Sequence, residues 1–187
     1  MLATHSGKFH ADEALAVYLL RKLPEYATMP LVRTRDPAVI ATATIVVDVG
    51  AVYDPPTHRY DHHQRSFTDC WPGRKIRLSS AGLVYKHFGS RIIDQALLQK
   101  SLDTPTSVIL ERVYDQLIMA FDGVDNGVPQ YETSAPPAYK SSTSISDRVE
   151  RLNPDWNQVC TEQETLALFE QAVALTGIEF EHAVQQY

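Results

Sequence analysis

Thr44-Ile45-Val46-Val47-Asp48-Val49-Gly50 constrains this 187-residue chain more than any other stretch. It is β-branched and almost continuously apolar, the pattern of a strand covered on both faces rather than one that alternates against solvent. The sequence on its N-terminal side supplies partners. Met1 to Thr4 reads as a short strand. Asp12 to Leu23 reads as a helix, with Leu15, Leu19, Leu20 and Leu23 at three- and four-residue spacing and Pro24 to end it. Pro30 to Arg35 reads as a second strand, closed by Asp36-Pro37.

Beyond the central strand the pattern turns helical. A turn-rich stretch holds Pro55-Pro56 and Asp61-His62-His63. Ser79-Ser80 offers an N-cap for a helix to about Phe88, with Gly89 placed to end it. Ile92 to Leu102 and Ser107 to about Phe121 read as two more helices. Gln130 to Ser144, rich in Ser, Pro and Tyr, reads as a loop. Ile145 to Leu152 predicts a short helix. Thr161 starts a final amphipathic helix, with Gly177 as its point of interruption and the core as its expected partner. Strands alternating with helices, then helices only, predict an α/β fold: a mainly parallel sheet with flanking helices.

Composition removes several classes. The apolar fraction of 44% is that of an ordinary globular protein. No run approaches the ~18 apolar residues of a membrane span, and no basic, apolar and small-residue succession marks a signal peptide. A net charge of -6 argues against loose coating of nucleic acid. It does not argue against a nuclease, because a metal site is itself a cluster of acids whose local sign bound cations reverse. Cys70 and Cys160 form no C-x-x-C pair, so a zinc finger or disulfide framework is not expected.

Four segments carry ligand-type side chains. His5-x-x-x-x-His10-x-Asp12 follows one strand and opens a helix, where α/β sheets place their sites. Two imidazoles and a carboxylate suit a divalent ion of intermediate hardness. Asp48 ends the central strand, where a carboxylate is costly to bury unless it pairs or binds metal. In Asp61-His62-His63, one imidazole can ligate metal while its neighbour faces a substrate, with Arg65 close by. Asp122 and Asp125 lie three apart at the end of an apolar helix, opposing its macrodipole. Each piece alone has a plain structural reading as a cap, a turn or a surface loop. Their conjunction at element ends points to a metal centre.

These same segments, in this order, resemble the DHH phosphoesterase superfamily. Thr4 to Ala14 (THSGKFHADEA), Val47-Asp48-Val49-Gly50, Arg59 to Phe67 (RYDHHQRSF), Leu78 to Gly89 (LSSAGLVYKHFG), Asp125-Asn126-Gly127 and Ser146 to Trp156 narrow the resemblance to the Myg exonuclease family, across essentially the whole chain. The resemblance implies a DHH-phosphoesterase-like catalytic domain over 1–144. It implies a helical extension over 145–187 towards a C-terminal substrate-binding domain, so that this is the catalytic half alone. It implies a 3′→5′ RNA exonuclease using two divalent ions, manganese first and magnesium next. The substrate would be RNA or a short oligonucleotide, with no membrane partner, in nucleus or mitochondrion. The sequence itself shows no targeting leader, which leaves the cytoplasm open. His5, His10, Asp12 and His62 match metal ligands, and Asp48 the bridging position. His63, helped by Arg65, matches the phosphate-facing group. The fourth-motif carboxylate is Asp122 or Asp125, with Asp122 slightly preferred. The segment between Phe67 and Leu78 is short for the family.

Two other readings stay open at this point. One is a phosphohydrolase for pyrophosphate, cyclic dinucleotides or very short oligonucleotides. The other is a metal-stabilised binding domain without catalysis.

Overall fold

A computed structural model describes residues 1–100 and 105–186. Its sheet has the order β2-β1-β3-β5-β4, built from β1 (Leu2–Thr4), β2 (Leu31–Arg33), β3 (Ile45–Val47), β4 (Tyr53–Asp54) and β5 (Arg59–Tyr60). The pairs β1–β2, β1–β3 and β3–β5 are parallel, and β4 is an antiparallel edge on β5. Leu2 stands opposite Leu31 on one side and Ile45 on the other. The expected α/β architecture with a mostly parallel sheet and flanking helices is what the chain adopts.

Period-two alternation decides which helices cover which face. Leu2, Ile45, Val47 and Tyr60 point into the main core, with side chains from α1 (Ala11–Arg21), α3 (Ser80–Lys100) and α7 (Glu162–Gln185). Ala3 and Val46 point the other way, into a small cluster with Ala43 and Val49 against which Ile40 packs. Ile40 belongs to α2 (Pro37–Thr42), a one-sided helix that Asp36 caps through the Ala38 amide. The reading of Asp36-Pro37 as a simple close therefore missed a helix, because Pro at the first helical position starts one as readily as it stops a strand.

The helical half departs from expectation at two glycines, Gly89 and Gly177. Gly89 does not end a helix; α3 runs straight through it to Lys100. An added Cβ there would lie 2.9 Å from Leu110 Cδ1 and 3.0 Å from the Tyr85 ring. The glycine serves the close approach of α4 (Thr106–Val113) rather than a cap. The helices expected from Ser79 and from Ile92 are thus one, and the end expected at Leu102 lies outside the described residues. A π-helical turn over Tyr114–Ile118 joins α4 to α5 (Met119–Asp125). The expected short helix is α6 (Ile145–Glu150), which carries a Ser144–Asp147 capping box. Gly177 does not interrupt α7; the Tyr18 ring of α1 lies over it. Val149, Phe169 and Phe180 from the last two helices join the main core.

Among the described residues no helix is long and apolar enough to cross a membrane.

Candidate metal centre

Parallel strands bring their carboxyl ends to one edge of a sheet. His5 follows β1, Asp48 follows β3, and Asp61-His62-His63 follows β5. Residues scattered along the sequence thereby meet at that edge. Asp48 leaves its strand with φ 57°, a left-handed conformation that aspartate tolerates better than most side chains. His10 is the N-cap of α1, and its amide donates to both Glu13 carboxylate oxygens at 2.9 and 3.1 Å.

The side chains then interlock. His5 Nε2 lies 2.8 Å from Glu13 Oε1 and 3.4 Å from Asp48 Oδ2. His62 Nε2 lies 3.0 Å from Asp125 Oδ2 and 3.5 Å from Asp48 Oδ1. His63 Nδ1 lies 2.6 Å from Asp61 Oδ1, which also accepts from the His63 amide. The other Asp61 oxygen accepts from the Ala51 amide at 2.6 Å. His5, Glu13, Asp12, Asp48, Asp61 and His62 are buried, while His10 and His63 are exposed towards the cavity that they line.

Among the described residues three groups of donor atoms, each within 4.8 Å of one another, could hold a metal ion. The first is His5, His10, Glu13 and Asp48; the second is Asp48, Asp61, His62 and His63; the third is Asp12, His62 and Asp125. Asp48 belongs to two groups and His62 to two, so the groups form a chain rather than separate sites. One further observation tests the fit. His62 Nε2 is buried and makes no aligned hydrogen bond, although two carboxylates stand beside it. An imidazole nitrogen and carboxylate oxygens aimed at a common point suit a cation better than they suit each other.

The electrostatics follow from this crowding. Burial alone pulls the His5 imidazole down, but the Asp48 and Glu13 carboxylates outweigh it and push its pKa up to about 10. His62 is likewise pulled down by burial and pushed up to about 11 by Asp125 and Asp48. Burial would raise Asp48, yet the imidazoles of His5 and His62 hold its carboxyl well below the usual carboxylate range. Burial drives Asp12 the other way, well above that range, reinforced by the charges of Asp125 and Asp48.

A family model described as "Uncharacterised protein family (UPF0160)", MYG1_exonuc, matches residues 1–187. The chain belongs to this family. It is 48% identical over 185 residues to the mouse protein called MYG1 exonuclease, covering 96% of this chain and 48% of that protein. The human MYG1 exonuclease is 46% identical over 185 residues, with the same coverage. The Dictyostelium discoideum MYG1 protein is 46% identical over 187 residues, covering all of this chain and 56% of that protein. The chain spans about half the length of the curated relatives it matches. No solved structure matches it.

In this UPF0160 chain the two α5 acids part company. Asp125 faces His62. Asp122 is fully buried behind it: Oδ1 accepts from the Ser79 amide and hydroxyl, each at 2.8 Å, and Oδ2 from the Tyr114 hydroxyl at 2.8 Å. The N-terminus of α3 is the joint that holds the acids in place. Its free Ser80 and Ala81 amides donate to the Asp12 carboxylate at 3.0 and 2.7 Å, and Ser80 Oγ donates to Asp48 at 3.2 Å. Arg65 is exposed and does not line the cavity over the centre. Sequence reasoning did not single out Glu13. Its only local signal was the glutamate three residues after the cap, which marks a helix start.

Proposed function

We propose that this chain is the metal-binding half of a metal-dependent phosphodiester hydrolase with the DHH-type arrangement, acting on RNA from its 3′ end. The buried His62 nitrogen without an aligned hydrogen bond, set between Asp125 and Asp48, carries the metal part of this reading. The names of the relatives, MYG1 exonuclease in mouse and human, support the nuclease part. Residues 145–187 pack through Val149, Phe169 and Phe180 into the same core as residues 1–144, and would lead on towards a substrate-binding domain.

His5, His10, Glu13 and Asp48 would hold one cation, with the Ser6 carbonyl fixing His5 through Nδ1. Asp12, His62 and Asp125 would hold a second, with Asp48 shared. Mixed imidazole and carboxylate ligation favours manganese, then magnesium. The chemistry supplied at such a centre is Lewis acidity towards a phosphoryl oxygen and a water brought closer to neutrality in pKa.

The chain's own groups supply the rest. The His5 and His62 imidazoles hold the Asp48 carboxyl well below the usual carboxylate range, so it would meet a cation as a carboxylate. Asp61 fixes His63 through Nδ1, which leaves Nε2 as the nitrogen free to meet a substrate oxygen. The Asp61 hydrogen bond also raises the His63 pKa despite its partial burial, which favours a donor there. A protonated imidazole in that position stabilises charge growing on a non-bridging oxygen.

The test is turnover of a 5′-labelled RNA and of pyrophosphate with added Mn2+, by the wild-type chain and by Asp48→Asn. The variant is expected to lose hydrolysis by roughly a thousandfold or more and to bind Mn2+ more weakly. Full turnover by Asp48→Asn, or no Mn2+ binding by the wild type, would overturn the assignment. Turnover of pyrophosphate but not RNA would shift the substrate to small phosphate compounds.

A further inference from the structure

A cavity of about 830 Å3 opens over the centre, within the range of sites that enclose small ligands. Five carboxylates line it, from Asp12, Asp48, Asp61, Asp125 and Glu150. Away from the bound cations and from His5, His10 and His63, a phosphate-bearing molecule entering such a space meets like charge. Among its lining residues Arg35 alone is an arginine or lysine.

Arg35 follows β2 by two residues, and its neighbour on that strand shows what it is free to do. The Arg33 guanidinium lies over the Phe9 and Phe169 rings at 5.2 and 4.8 Å and donates to the Gly7 carbonyl at 2.7 Å. Those contacts commit Arg33 to packing. Among the described residues Arg35 donates through Nε alone, to the Ser6 carbonyl at 3.1 Å. That contact steadies the guanidinium against the loop bearing His5 and leaves both terminal amines available. Two parallel N–H donors on a planar cation match a phosphoryl group better than any single charge does. Beside Arg35 the cavity wall is apolar, formed by Pro37, Ile40 and Ala41 of α2 with Val49. An organic group attached to a phosphate can lie there.

We propose that Arg35 is a second phosphate-binding residue of this cavity, beside His63, gripping a phosphoryl group of the ligand with its terminal amines. The proposal rests on the hydrolase reading above for the ligand class. His63 serves the oxygen of the reacting phosphoryl group, and neither it nor the ligand set of the metal centre assigns a role to Arg35.

Calorimetry on the Mn2+-loaded chain tests it with two probes, inorganic phosphate and a phosphorothioate-linked RNA dinucleotide that resists hydrolysis. Arg35→Ala is expected to weaken probe binding by roughly tenfold to a hundredfold, the scale of hydrogen bonds to a charged group. Arg35→Lys, which keeps the charge and loses the fork, falls between. Mn2+ affinity and melting temperature stay near wild type in both variants, separating binding from a structural role. Arg91→Ala removes a cation on α3 that pairs with Glu25 at 2.8 Å, and it leaves both probes unaffected. A loss confined to the dinucleotide means that Arg35 reads an esterified phosphate in a nucleotide chain; a loss shared by inorganic phosphate means that it reads the phosphoryl group itself. Unchanged affinity for both probes in Arg35→Ala, absence of probe binding by the loaded wild type, or a loss produced instead by Arg65→Ala would overturn the proposal. Failure of the hydrolase reading looks different, because there the wild type takes up no Mn2+ or turns over no substrate.

Discussion

The joint at the N-terminus of α3 and the floor of the cavity both bury acids, and they do so by opposite means. At the joint, the Asp12 and Asp122 oxygens meet backbone amides of a helix N-terminus or the hydroxyls of Ser79 and Tyr114. Those donors are fixed and permanent. On the floor, Asp48, Glu13 and Asp125 face imidazoles, and the His62 nitrogen between two of them is aligned with neither. There, neutralisation depends on what is bound, a proton or a cation. The joint therefore acts as scaffold and the floor as the exchangeable part.

The largest expected effect follows from that exchange. His5 and His62, with pKa values of about 10 and 11, are protonated at neutral pH when no cation is bound. A cation must displace about two protons, so its affinity should rise with pH, by roughly a hundredfold per pH unit for two protons released. Mn2+ titrations at neighbouring pH values in buffers of different ionisation enthalpy measure both the slope and the proton count. The stripped protein obeys the matching sign. A histidine whose folded pKa is raised contributes stability that is complete below about 6.5 and fades as pH climbs towards 10. Melting in chelator should fall over that window, and melting with Mn2+ should not. A pH-independent affinity would erase the distinction between floor and joint.

The next effect sets the two α5 acids against each other. Under the proposed assignment, Asp125→Asn removes a ligand and should cost Mn2+ affinity about a hundredfold or more, beyond what losing an outer contact costs. Asp122→Asn should instead act on folding. It presents an amide NH2 to donors that had a carboxylate, at a cost of about 1–3 kcal/mol, with a much smaller change in Mn2+ affinity. Chemical denaturation and metal titration on both variants separate the cases. A reversal, with Asp122→Asn the worse for metal, would return the fourth ligand to the residue that sequence order slightly favours.

That pair also shows where reading the sequence stopped. The two acids share a helix face and a local composition, and only the tertiary partners Ser79 and Tyr114 tell them apart. The first helix and the central strand were legible because helical apolar spacing and a continuous β-branched run are both local signals. The two-residue strands β4 and β5 around Pro55-Pro56 were not, since a strand that short carries no period. Gly89 misled because a glycine that lets helices approach looks the same in sequence as one that ends a helix. The ligand-type residues of four segments stood out because His and Asp at element ends are few. Arg35 did not, because nothing near it in sequence says that the loop after β1 will turn it towards a cavity.

The smallest expected effect asks whether the helical layer and the floor are coupled at all. Gly177 of α7 lies against the Tyr18 ring of α1, and a methyl group there overlaps that ring. Relieving the overlap should cost about 1–3 kcal/mol, while alanine regains about 1 kcal/mol over glycine in a helix. Gly177→Ala should therefore lose at most about 2 kcal/mol, lowering the melting temperature by up to about 8 °C for a chain of this size. Tyr18 belongs to the same helix as Asp12 and Glu13, so a rigid displacement of α1 would reach the floor. A packing defect absorbed locally would not, and distant sites normally add within about 0.5 kcal/mol. Unchanged Mn2+ affinity in Gly177→Ala means that the α3 amides hold Asp12 in place independently of how α7 packs. A matching loss of Mn2+ affinity would mean that the centre is held as much by the helical layer behind it as by the joint beside it.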